Sequence, residues 1–166
     1  VAPIAICQDI TIQLDSAGQA FVTATDIDNG SNDSCGIASI TLDGSQDTLD
    51  FNCSNVGSNT VTLTVTDVNG NSSTCSATVT VEDTIAPTAI CQDITVELDS
   101  NGEVTVLATD IDNGSNDNCG IASLELDGNV SELTFDCSSI GTNAVTLIVT
   151  DVNGNISTCS ATVTVE

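Results

Sequence analysis

Apolar and polar residues alternate along much of this chain with a period of two. "ITIQL" (10–14), "NTVTLTVT" (59–66) and "SATVTV" (76–81) set Ile, Leu, Val or Ala at every second position, with Thr, Ser or Gln between. Such alternation gives a core one face and water the other, the pattern of a half-buried strand, and no stretch shows the 3.6-residue spacing of an amphipathic helix. Clusters of Gly, Asn and Asp interrupt the runs about every 8 to 12 residues, as in small β-sandwiches. Three hairpins are expected in the first half: "CQDITIQL" with "QAFVTAT" across "DSAG", "GIASITL" with "DTLDF" across "DGSQ", and "NTVTLTVT" with "SSTCSATVTV" across "DVNGN".

The pattern then repeats. "PIAICQDITIQLDSAGQA" at Pro3 returns as "PTAICQDITVELDSNGEV" at Pro87, and residues 1–82 align with 85–166 without a gap, with 58 identities in 82 positions. The expected organisation is one immunoglobulin-like unit over 1–82, a linker over 83–87 and a second unit over 88–166, as consecutive units of a longer array. The fold class is all-β: two tandem immunoglobulin-like or fibronectin-like sandwiches, disulfide-stapled and arranged end to end.

Charge sharpens the picture. The 166 residues include 24 Asp and Glu and no Lys, Arg or His, for a net charge of −24. No carboxylate can pair with a basic side chain, so the counter-charge is expected from solution. Nucleic acid and anionic membrane surfaces are excluded as partners by repulsion. Yet 40% of residues are hydrophobic, which a disordered acidic tail would lack. Catalysis has no His, Lys, Arg or Tyr to use, and sugar chemistry on carboxylates would need aromatic platforms. The three Phe are expected in the core, with no exposed aromatic on either copy, and the chain is read as non-enzymatic.

Eight cysteines recur at the same 84-residue offset: Cys7/Cys91, Cys35/Cys119, Cys53/Cys137 and Cys75/Cys159. No CxxC pair is present, so disulfides are favoured over zinc, which implies an oxidising, extracellular setting. Four cysteines per unit allow three connectivities. Cys35 opens and Cys53 closes the expected hairpin around Gly44, and Cys7 on the first strand and Cys75 after the last turn are expected at one pole on edges that pair, which favours Cys7 with Cys75 and Cys35 with Cys53, repeated as Cys91 with Cys159 and Cys119 with Cys137.

"APTAICQDITVELDSNGEV", "DNGSNDNCGI", "FDCSSIGTNAVTLIVTDVNGN" and "STCSATVTVED"-like segments together resemble the hyalin-type (HYR-like, immunoglobulin-like) repeat found in tandem in very large cell-surface proteins of Bacteroidetes. The resemblance covers the whole chain and is strongest to giant gliding-motility and surface adhesins. It implies type IX export and display as long filaments. Animal relatives usually show "TDNCG" where this chain has the longer, more acidic "TDIDNGSNDSCG".

That loop offers Asp26, Asp28 and Asp33 around Gly30, hard oxygen donors of the type calcium takes, though not in EF-hand spacing. The competing reading is a turn whose Asp and Asn bond their own backbone. A second cluster is expected at the joint, where Glu82 and Asp83 would meet Asp110, Asp112 and Asp117 and the turn bearing Asp151 and Asn153; Asp67 and Asn69 are the equivalents of that turn in the first unit. Structural calcium is the expected cofactor. Asp-Ser/Thr-apolar triplets mark Ser16, Thr48 and Thr84 as glycosylation candidates. The function these features point to is a calcium-rigidified stalk or spacer on the cell surface. Its partners would be neighbouring repeats. The alternatives are an adhesive module contacting glycan or protein, or a subunit that self-associates into filaments.

Overall fold

The alternating segments become strands, but most do not pair with the next strand in sequence. A computed structural model describes residues 1–166, which fold as two units, Val1–Thr84 and Ile85–Glu166. The first contains β1 (Ile10–Gln13), β2 (Gln19–Thr23), the one-turn helix α1 (Ala24–Ile27), β3 (Ile37–Leu42), β4 (Thr48–Asn52), β5 (Gly57–Asp67) and β6 (Ser72–Glu82). The second contains β7 (Ile94–Val96), β8 (Glu103–Leu107), α2 (Ala108–Ile111), β9 (Ile121–Leu126), β10 (Glu132–Asp136), β11 (Gly141–Asp151) and β12 (Ile156–Val165).

Each unit has a four-stranded sheet, ordered β1-β6-β5-β3 or β7-β12-β11-β9, and a two-stranded sheet, β2-β4 or β8-β10. In the second unit Val106 and Phe135 from the small sheet form one core with Leu126, Leu147, Val149 and Val163 from the large one. Val22, Phe51, Leu42, Leu63, Val65 and Val79 are the buried equivalents in the first. This is the all-β, immunoglobulin-like sandwich expected, built twice.

Of the expected hairpins only the third forms: β5 and β6 pair from Gly57↔Val81 to Thr66↔Ser72. β1 instead runs parallel to β6, with Ile10 opposite Val79, and β2 is antiparallel to β4. The "DSAG" turn exists, with the Asp15 N–H donating to Gln19 O at 2.9 Å. Leu14 ahead of it is buried at 3% exposure, so the chain crosses the core there and enters the other sheet. At "DGSQ", Leu42 and Gln46 exchange bonds of 2.6 and 3.0 Å; β4 then leaves for β2 while β3 pairs with β5. Alternation marks a strand without naming its partner.

The two one-turn helices lie outside the strand pattern. Thr23 donates its N–H and hydroxyl to Asp26 Oδ2, both at 2.7 Å, and Ile27 beyond them is fully buried. Thr-x-x-Asp ahead of an apolar residue is a capping-box signature that locates this turn. Phe51 and Phe135 are buried, but Phe21 is 64% exposed, which corrects the expectation of three core Phe. It neighbours the buried Val22 on β2, and adjacent strand residues face opposite ways; its counterpart one period on is Thr105.

Cys7–Cys75 and Cys91–Cys159 form, each with Cα atoms 5.9 Å apart. Beside each, an aspartate extends the attachment: Asp9 Oδ1 accepts the Thr78 N–H and Asp93 Oδ1 the Thr162 N–H, both at 2.7 Å. The expected Cys35–Cys53 and Cys119–Cys137 pairs do not form. Cys35 and Cys137 are free and exposed, whereas Cys53 and Cys119 are disulfide-bonded. The reason is the pairing of β3. Cys35 precedes Ile37, which lies opposite Asp67 at one end of β5, while Cys53 precedes Gly57 at the other end. The strand between them spans about 33 Å at roughly 3.3 Å per residue, far beyond the roughly 7 Å that a disulfide bridges.

The "DVNGN" turn is organised by a buried carboxylate. Asp67 Oδ1 accepts the N–H groups of Asn69 and Asn71 at 2.8 and 2.9 Å, and Oδ2 accepts the Asn71 amide at 2.8 Å. Asp151 repeats this with Asn153 and Asn155, all at 2.8 Å. The Asn71 amide, with help from the two N–H groups, holds the Asp67 carboxyl below the ordinary value of 3.8 against the opposing effect of burial.

Two outcomes follow. Asp151→Ala leaves two turn N–H groups without their acceptor and is expected to lower the unfolding free energy of the second unit by about 1–3 kcal/mol, measured by urea titration in chelator. Because the folded pKa of Asp67 is depressed, its stabilisation is complete above 3.8 and is lost as pH falls below that and through the folded value. The difference in urea midpoint between wild type and Asp67→Ala is therefore expected to be largest at neutral pH and to shrink in acid.

Candidate functional site

One pole of each unit gathers three segments: the chain ahead of the first strand, the loop after the one-turn helix, and the "DVNGN" turn. Ile4 and Asn32 exchange backbone bonds of 2.8 and 3.0 Å, and the Val68 N–H donates to Gly36 O at 3.2 Å. Thr88 with Asn116, and Val152 with Gly120, repeat these ties in the second unit. Gly30 and Gly114 take φ of +87° and +88°, which lets the loop turn back under Asp28 and Asp112.

Most acidic side chains in the loop are committed to this backbone. Asp28 accepts the N–H groups of Gly30 and Ser31 at 3.3 and 3.0 Å; Asp112 accepts those of Gly114 and Ser115 at 3.2 and 3.0 Å. Burial raises the Asp112 carboxyl, but bonds from the Ser115 side chain, the Ser115 N–H and the Gly114 N–H together hold it below the ordinary value. Asp26 is lowered likewise by the hydroxyl and then the N–H of Thr23. Asp110 Oδ2 accepts the Leu107 N–H at 2.9 Å. Neither Asp26, Asp28 and Asp33 nor Asp110, Asp112 and Asp117 meet as a trio with oxygens within 4.8 Å.

Asp117 differs. Its Oδ2 accepts the Cys119 and Gly120 N–H groups at 2.8 and 3.1 Å, while Oδ1 is enclosed and has no hydrogen-bond partner. Carboxylate oxygens of Asp117 and Asp151 lie within 4.8 Å of each other, and Asp151 is 1% exposed. Two negative charges at that separation repel by about 3.5 kcal/mol at an effective dielectric of 20. A cation between them turns this repulsion into attraction and fills the empty coordination of Asp117 Oδ1. Hard oxygen donors suit calcium. In the first unit Asp33 and Asp67 are the equivalents, and Asp33 Oδ2 accepts the Cys35 N–H at 2.7 Å.

The remaining expected ligands are placed as follows. Asn69 and Asn153 give their N–H groups to the turn aspartates, and Glu82 Oε2 accepts the Gln13 amide at 2.6 Å. Asp83 is buried at 7% exposure. Ser16, Thr48 and Thr84 are all exposed, and the Thr84 hydroxyl donates to Gln13 Oε1 at 3.0 Å. Asp43 and Asp127, absent from the expected set, clamp β5 and β11 by accepting the Thr62 and Thr146 N–H groups at 2.9 Å. Their partners lie 19 residues away, so no local motif marks them.

Comparison with known proteins now places the chain. The HYR domain family matches residues 82–165, just over half of the sequence. The chain is similar to the serine-rich adhesin for platelets of Staphylococcus aureus strain MRSA252, with 31% identity over 172 residues that cover 95% of this chain and 12% of that protein. The adhesin of strain MW2 is 32% identical over 152 residues, covering 82% of this chain and 6% of that protein. Among solved structures, protocadherin gamma C5 EC1-3 aligns with a TM-score of 0.49 and 15% identity over 98% of this chain and 68% of that one. The Ig1-2 module of the Drosophila receptor protein tyrosine phosphatase DLAR aligns over all of both chains with a TM-score of 0.33 and 11% identity. By its sequence match, carried on a twice-built immunoglobulin-like sandwich, this chain belongs to the HYR domain family.

Proposed function

We propose that this chain is a non-enzymatic, extracellular, adhesion-related repeat that acts as a spacer and is stiffened by calcium. Family membership and the similarity to staphylococcal adhesins support the adhesive setting, and the disulfides fit an oxidising compartment. The observation that carries the calcium reading is the orphaned Asp117 Oδ1 close to the buried carboxylate of Asp151. Extracellular modules bind calcium at about 10⁻⁴–10⁻³ M, so a small donor set suffices there. The proposal extends to Glu82, the last residue of β6, and Asp83, the first of the linker, where calcium would also limit bending of the linker.

One observation favours adhesion by the units themselves. Phe21 is exposed on β2 of the first unit, and the second has Thr105 there. The two copies thus differ at an aromatic that could meet a glycan or protein.

Thermal melts of the fragment in millimolar calcium and in excess chelator test the spacer reading. Calcium is expected to raise the melting temperature, by about 4–8 °C per kcal/mol of binding free energy for units of this size, and to lengthen the particle seen by small-angle scattering. Asp117→Asn is expected to raise the melting temperature in chelator, by relieving the repulsion from Asp151, and to remove the calcium increment of the second unit. Identical melts with and without calcium would exclude the calcium role.

A further inference from the structure

One face of the first unit departs from its repeat in a concerted way. An open cleft of about 610 Å³ lies against β1, β2 and β4, beside an edge strand of the large sheet and the two strands of the small one. Nine residues line it, and seven of them differ from their equivalents 84 residues on, against 24 of 82 aligned positions overall. The changes have a direction. Gln13, Gln19 and Asn52 stand where the second unit has Glu97, Glu103 and Asp136, so three carboxylates give way to amides. Phe21 stands for Thr105 and Asp50 for Thr134, and the remaining exchanges are apolar for apolar. Phe21 lies directly opposite Asp50, and Gln19 opposite Asn52. All four are exposed, so an aromatic ring, a carboxylate and two amides stand side by side on one face. Gln13 is tied to Glu82 and Thr84. The Gln19 and Asp50 side chains have no partner within the protein, and Asn52 engages only its oxygen, with Ser54. Phe21 and Ile12 also line a second opening toward Thr23 and Thr25, so the groove continues past the ring.

We propose that this cleft binds a neutral oligosaccharide, with Phe21 as the platform under a sugar ring and Gln19, Asp50 and Asn52 as its hydrogen-bonding partners. The proposal deepens adhesion by the units themselves and rests on that reading, not on calcium. A sugar ring presents a C–H face that packs on an aromatic ring, and hydroxyls that both donate and accept. An amide also does both, whereas a carboxylate only accepts. Replacing carboxylates with amides therefore adds the donors that hydroxyl oxygens need, and Asp50 supplies one strong acceptor beside the ring. Charge decides the ligand class. A sulfated or carboxylated glycan is repelled by a chain of net charge −24. The cleft has two carboxylates, Asp15 and Asp50, where the second unit has four, the reverse of what a cationic ligand selects. An added β-strand reads main-chain groups that both units share, which leaves the exchange of side chains without a purpose. The volume lies within the range of about 300–1,000 Å³ common for small-ligand sites.

The test titrates the isotope-labelled chain with neutral hexaoses of glucose, mannose, xylose and N-acetylglucosamine, and with oligogalacturonate as the acidic control, reading backbone amide shifts by NMR in calcium and in chelator. At least one neutral hexaose is expected to shift Gln19, Phe21, Asp50 and Asn52 in both buffers and to leave Glu103, Thr105, Thr134 and Asp136 in place. Phe21→Thr is expected to weaken binding by about tenfold, and Gln19→Glu combined with Asn52→Asp by about as much. Each substitution installs the second unit's residue on shared local structure: Asp136 accepts the Ser138 N–H at 2.8 Å as Asn52 accepts that of Ser54 at 2.9 Å. The variants are therefore expected to melt like wild type. No shift with any neutral hexaose, equal shifts at the second unit's equivalents, equally tight binding of oligogalacturonate, or undiminished binding by either variant would each overturn the proposal. Sedimentation separates this outcome from the reading beneath it. If sugars fail but wild type self-associates and Phe21→Thr does not, the glycan site is wrong and adhesion through Phe21 stands as a protein contact; if neither occurs, both fall. The calcium dependence of melting is untouched in every case.

Discussion

A chain with 24 carboxylates and no basic side chain must find positive potential elsewhere, and here it finds it in its own backbone. Asp9, Asp43, Asp67 and their counterparts each accept main-chain N–H groups that the sheets or turns leave without partners. The expectation that counter-charge comes only from solution was therefore incomplete. Partial charges on amides, fixed in place by the fold, do part of that work. At Asp67 the arrangement is reciprocal: the carboxylate holds the turn, and the bonds from Asn71 and Asn69 hold its pKa below the ordinary value. Acidic composition and a compact sandwich are compatible for this reason.

The acidic pole of the second unit is where this device stops short. Every other loop aspartate discussed above is engaged by nearby N–H groups, but Asp117 keeps one enclosed oxygen without a donor beside a second carboxylate. Backbone amides lower the energy of single anions; two anions held close together repel each other, and a cation placed between them would offset that repulsion. Asp117 and Asp151 shape the fold as well, each accepting N–H groups, but an enclosed oxygen of Asp117 lies unbonded beside a second carboxylate. That feature reduces a long set of oxygen-bearing side chains to Asp117 and Asp151 within that unit.

The cysteines divide along the same line between local and non-local information. Cys7 with Cys75 was readable because both were expected beside the pairing of first and last strands. Cys35 with Cys53 was misread because "GIASITL" and "DTLDF" look like the arms of a hairpin. In the structure they belong to different sheets, and the cysteines beside them end up at opposite ends of an eleven-residue strand. Phe21 was misplaced for a similar reason: a strand shows which residues share a face, but not which face meets the core.

Period-two alternation, turn residues and the 84-residue repeat determined by themselves that the chain is all-β, built twice, and stapled by disulfides, because these signals arise from contacts between near neighbours. The capping turn at Thr23 and Asp26 carries a local signature as well, but its Asp26 was read as a metal ligand instead. The partner of each strand, the fate of Cys35 and Cys137, and the choice of Asp117 and Asp151 from many acidic residues were decided only by tertiary structure. Each depends on which distant segments the core brings together, and alternation is the same for every partner a strand could take.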